Sequence, residues 1–101
     1  MTMIEKREYY KIFRSDDGYI VQNTLMEGFS HSHIKNLKSA RWICELSLSK
    51  RLPHDMPRYL IVSLLRINDD EIYCQKIKDL LKAKNKKKDY YFNSNKGARK
   101  K

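Results

Sequence analysis

Two short runs rich in aromatic and β-branched residues, Tyr9-Tyr10-Lys11-Ile12-Phe13-Arg14 and Tyr19-Ile20-Val21-Gln22-Asn23-Thr24, flank Ser15-Asp16-Asp17-Gly18. Such runs fit a half-buried pleated surface, and Asp17-Gly18 tolerates the positive φ of the favoured hairpin turns, so a β-hairpin is predicted over residues 9–24. After Glu27-Gly28, Phe29, His31, His33 and Lys35 alternate with Ser30, Ser32 and Ile34. This period of two predicts a short third strand, with the start of a helix as the competing reading. A third strand would also help the hairpin hold an apolar face.

From Leu37 the period becomes helical. Leu37, Ala40, Ile43 or Cys44, and Leu48 fall on one side, Asn36 stands at the N-cap, and Pro53 stops the helix near Arg51. Pro57 suits the first turn of a second helix running from Tyr59 to Arg66. Asn68 and Glu71 have the spacing of a capping box, and Asp69, Asp70 and Glu71 favour the positive end of a helix dipole, so a third helix is predicted from about residue 69. Ile72, Cys74 or Gln75, Ile77, Leu80 and Leu81 form its apolar stripe, after which Lys82-Ala83-Lys84-Asn85-Lys86-Lys87-Lys88 has nothing to bury. The fold class predicted is α+β: an N-terminal antiparallel hairpin or three-stranded meander packed against about three C-terminal helices. One small domain is expected over residues 1–85, followed by a basic, largely disordered tail over 86–101.

A hydrophobic fraction of 41% beside a charged fraction of 34% fits a folded domain better than a disordered chain. The longest apolar run, Tyr59 to Leu65, is flanked by Arg58 and Arg66 and is too short to span a bilayer, and the first residues lack the apolar stretch of a secretory signal. No membrane partner is expected, and the expected compartment is the cytoplasm. Cys44 and Cys74 have no metal-binding or redox spacing and read as reduced thiols.

Charge changes the picture most. The net +10 is uneven: residues 1–24 are balanced, residues 25–81 carry nine basic against seven acidic side chains, and residues 82–101 carry nine against one. Lys84, Lys86, Lys87, Lys88, Arg99, Lys100 and Lys101 are therefore expected to neutralise phosphates, with Tyr90 and Tyr91 stacking on unpaired bases. Lys35, Lys38 and Arg41 are candidates to carry this surface onto the domain. The partner expected is nucleic acid, either RNA or single-stranded DNA. The plain alternative is that the lysines keep the chain soluble while Tyr90, Tyr91 and Phe92 cover the domain.

Other constellations are weaker. Ser63 to Tyr73 has the cadence of a DNA-reading helix-turn-helix, but Arg66 takes the usual glycine place and three carboxylates open the second helix, so a helical corner is the favoured reading. His31 and His33 would share a strand face, with His54 or Cys44 as conceivable further ligands, yet helping to cover the sheet or contacting a phosphate explains them as well; no metal or cofactor is expected. The carboxylates have structural roles in a turn and at a helix start, and only three glycines are present, which leaves no phosphate cradle and no recognisable catalytic residue; no enzyme activity is expected. Trp42, Tyr59 and Tyr73 are either core or anchors for a partner, with core favoured. Homodimerisation would let so small a domain bury more surface.

The order of hairpin, His-rich strand, and Asn36-Leu37-Lys38-Ser39-Ala40-Arg41 opening a helix looks like that of small proteins encoded by phages and mobile elements of low-GC bacteria, as does the Lys, Asn, Ile and Tyr usage. The resemblance implies one of two roles: a nucleic-acid accessory factor, or a small protein that docks on and modulates a host protein or ribonucleoprotein.

Overall fold

The computed structural model describes the backbone of residues 1–28 and 30–97, with side chains described through residue 85. Four strands, β1 (Thr2–Arg7), β2 (Tyr10–Ser15), β3 (Gly18–Asn23) and β4 (His31–Ile34), form one antiparallel sheet in the order β1-β2-β3-β4. Three helices follow, α1 (Leu37–Ser49), α2 (Arg58–Arg66) and α3 (Glu71–Gly97). The fold is α+β, as the sequence predicts. The tail over residues 86–101 lies outside the described side chains, and Arg99, Lys100 and Lys101 lie outside the described residues altogether.

Strand pairing separates the two faces of the sheet. Tyr10 pairs with Asn23, Ile12 with Val21, Val21 with Ser32 and Tyr19 with Ile34. Apart from the half-buried Tyr19, these side chains are buried, and they face the helices. Because successive residues alternate, Lys11, Phe13, Ile20, Gln22, His31 and His33 occupy the opposite face. On the helix side, Ala40, Ile43, Cys44 and Leu46 of α1, Leu60, Ile61 and Leu64 of α2, and Tyr73 and Ile77 of α3 complete the core with Met56 and Ile67.

β1 was not expected. It is an edge strand with a register irregularity between Met3 and Glu5, and its inward positions hold Glu5, opposite Ile12, and Arg7, opposite Tyr10. Charged residues on the inner face erase the alternation that marks a half-buried strand. Such charges are also a usual way of blunting a sheet edge.

The hairpin between β2 and β3 differs in detail from its prediction. Asp16 and Asp17 form the two-residue loop, and the positive φ falls on Gly18, at +153°, which pairs with Ser15. A Cβ at Gly18 would lie 2.7 Å from the Ile34 carbonyl oxygen on the neighbouring strand. Gly18→Ala is therefore expected to cost about 2 kcal/mol, read as a lower urea midpoint with unchanged slope.

The helix ends also refine the prediction. Asn36 caps α1 as expected, its Oδ1 accepting from the Ser39 N–H at 2.8 Å. The helix stops at Ser49, before Arg51, because Lys50 turns left-handed at φ 58° and donates its N–H to the Leu46 carbonyl. Pro57 is the N-cap of α2, and its carbonyl accepts from the N–H groups of Leu60 and Ile61.

The larger correction concerns Asn68, which does not cap α3. Asp70 does so, through Oδ2 accepting from the Tyr73 N–H at 2.8 Å. Asn68 instead is buried at 5% exposure, donating through Nδ2 to Ser47 Oγ (2.9 Å) and the Leu64 carbonyl (2.8 Å) while its Oδ1 accepts from the Tyr10 hydroxyl (3.2 Å). The Ile67 carbonyl accepts from both Tyr10 Oη and Asn23 Nδ2 at 2.9 Å. The α2–α3 corner is thereby tied to β2, β3 and α1. The Ser63–Tyr73 segment forms a helical corner held by these bonds.

Candidate nucleic-acid interface

A groove of about 690 Å³ is bounded by the end of β1, one face of α1 and the start of α2. Lys38, Arg41, Trp42 and Glu45 line it from α1, at spacings that place them along one side of a helix. Pro57, Tyr59 and Leu60 supply the other wall, and Arg7 closes the β1 side. The lining thus combines three cations, two large aromatics and one carboxylate. Tyr59 is 57% exposed, whereas Trp42 is half-buried and packs partly on the core.

Two of the cations are fixed in place. Glu5 accepts from Arg7 Nε through Oε2 at 2.6 Å and from Arg41 Nε through Oε1 at 2.9 Å, so one carboxylate joins a strand to a helix. The other N–H groups of both guanidiniums remain able to donate to a phosphate, which their planar fork matches. The hydrogen bonds from Arg7 and then Arg41 hold the Glu5 carboxyl below its ordinary pKa. A lowered folded-state pKa contributes stability above the unfolded value and loses it as pH falls through the folded value. The stability difference between wild type and Glu5→Gln should therefore be present at neutral pH and shrink on acidification below the ordinary glutamate range, in urea titrations at a series of pH values.

The expected basic residues separate into groups. Lys38 and Arg41 lie together in the groove. Lys35 lines a separate small depression with Asp17, Gly18, Tyr19, His33 and Ile34. Lys84 is half-buried on α3 beside Asn85. The side chains of Lys86, Lys87, Lys88, Tyr90 and Tyr91 lie outside those described. One contact ties the start of α2 to α3 near the base of that segment: Arg58 Nε donates to Asn85 Oδ1 at 2.6 Å. Arg58 adjoins the groove residues Pro57 and Tyr59 in sequence, while its own side chain is turned to α3.

Arg7 is not among the site residues the sequence names, and Trp42 and Tyr59 read from sequence only as core or partner anchors. Of the three aromatics weighed as core, Tyr73 is core, with its hydroxyl donating to the Leu46 and Arg51 carbonyls and burial raising its pKa to about 12. Tyr59 is not. Cys44 and Cys74 are both free thiols; burial pushes Cys44 up to about 12 and also raises Cys74. His31 and His33 share the exposed face of β4, with ring centroids 5.2 Å apart. Among the described residues no three His, Cys, Asp or Glu side chains gather into a metal-binding group, and no helix is long and apolar enough to cross a membrane. Comparison of the chain with protein-family models, with curated proteins and with solved structures returns no match.

Proposed function

We propose that this protein is a non-enzymatic binder of single-stranded nucleic acid, RNA or DNA, acting as an accessory or regulatory factor. In this reading Tyr59 and Trp42 stack with bases, Arg7, Lys38 and Arg41 meet phosphates, and the Lys-rich residues from Lys84 onward continue the cationic path. The observation that carries the proposal is the gathering of Arg7, Lys38 and Arg41 with Trp42 and Tyr59 around one groove; the Arg58–Asn85 contact ties α2, which supplies Tyr59, to the helix that leads into the most basic segment. Stacking supplies sequence-tolerant affinity, and phosphate neutralisation supplies a salt-dependent term. Free thiols at Cys44 and Cys74 are compatible with a reducing compartment such as the cytoplasm.

The test is fluorescence anisotropy of the full chain with labelled single-stranded RNA and DNA across a salt titration. Log affinity should fall linearly with log salt for at least one of the two. A protein that binds neither at low salt would overturn the proposal. A second reading, docking on a host protein or ribonucleoprotein, draws on the same groove, because exposed Tyr beside Trp and Arg is the composition of interface hot spots. That reading requires a partner that co-purifies after nuclease treatment and is lost with Tyr59→Ala.

A further inference from the structure

We infer that the open face of the sheet is a second strand-binding surface, on the opposite side of β1 from the groove, so that one molecule holds two segments of nucleic acid. The inference rests on the nucleic-acid reading above but uses different residues. Cross-strand pairing sets two rows across this face. Met3, Phe13, Ile20 and His33 form one, and Lys6, Lys11, Gln22 and His31 form the other. Four strands at the usual spacing make each row about 14 Å long. Neither row contains a carboxylate.

The pairing of Lys6 with Lys11 is the feature that points to an anion. Like charges directly opposite each other on neighbouring strands destabilise a sheet. Among the described residues both ion pairs involve Glu5, which faces the helices, and neither lysine has a carboxylate partner. A phosphate lying over the two ammonium groups would relieve the repulsion. Phe13, half-buried in the adjoining row, offers a flat apolar surface to a base, and the exposed His31 and His33 add ring nitrogens able to meet phosphate oxygens.

The geometry also separates this surface from the groove. Arg7 and Glu5 project from β1 toward the helices, while Lys6 projects the other way. Each face can therefore engage its own strand.

The experiment uses the full chain and its Lys6→Gln/Lys11→Gln variant with two non-complementary oligonucleotides, one carrying a donor fluorophore and one an acceptor. Wild type should bring the labels together and produce energy transfer. The variant should lose that transfer while still binding one oligonucleotide through the groove. It should also melt at the same or a higher temperature, since removing facing like charges relieves repulsion; a damaged fold would do the reverse. The salt slope of total binding should fall by about 0.7, the value for one lost phosphate contact on a single strand. A variant that bridges as well as wild type, or a wild type that binds single oligonucleotides without bridging them, overturns this inference and leaves the groove reading standing. A wild type that binds no oligonucleotide overturns the underlying reading instead.

Discussion

Replacing Asn68 with alanine is expected to destabilise the folded domain by about 3 kcal/mol and to lower its melting temperature by on the order of 10 °C. The size follows from what the side chain does. Its amide connects Ser47 on α1, the Leu64 carbonyl of α2 and the Tyr10 hydroxyl of β2, all within the core. Alanine would leave the Ser47 hydroxyl without its donor, weaken the hold on Tyr10 and open a cavity where the α2–α3 corner meets the sheet. A residue that only capped α3 would cost about 1 kcal/mol on removal. Asn36→Ala, which removes the α1 cap, provides that comparison within the same protein. Urea unfolding of both variants checks the difference, and equal losses would show that Asn68 acts as no more than a local cap.

The second large effect is on binding. Tyr59→Ala is expected to weaken single-stranded nucleic acid binding by about tenfold while leaving stability nearly unchanged. Base stacking on an aromatic side chain contributes about 1–3 kcal/mol, and the lower half of that range already gives a factor of ten. Tyr59 is 57% exposed, so its truncation removes little from the core. Trp42 lines the same groove but also packs against buried residues, so Trp42→Ala should lose both affinity and stability. Anisotropy titrations paired with thermal melts separate the two behaviours. Wild-type affinity in Tyr59→Ala would exclude stacking at this position.

The α+β class, the β2–β3 hairpin, the strand at His31–Ile34 and all three helices were legible because their signals are local. Alternation, turn residues and the Asn36 cap each act within a few positions. β1 was hidden because Glu5 and Arg7 take its inward positions, and their reason for being there, a bridge to Arg41, lies thirty-six residues downstream of Glu5. Asn68 was misread for a related reason. Its spacing to Glu71 imitates a capping box, while its true partners are tertiary. The groove suffers most from this limit. Lys38 and Arg41 could be named from charge alone, but Arg7 and Tyr59 become site residues only when β1, α1 and the start of α2 converge. Tyr59 heads an apolar run and so resembles core, yet its position in the first turn of α2 leaves it at the surface.

The claim that this groove is where phosphates bind is tested most directly by the salt dependence of single-stranded nucleic acid affinity for the full chain and for its Lys38→Gln/Arg41→Gln variant. If both side chains neutralise phosphates, the slope of log affinity against log salt becomes shallower by about 1.4, and the two lines converge at high salt. Superimposable lines would mean that neither residue meets a phosphate and that the groove is not the binding surface.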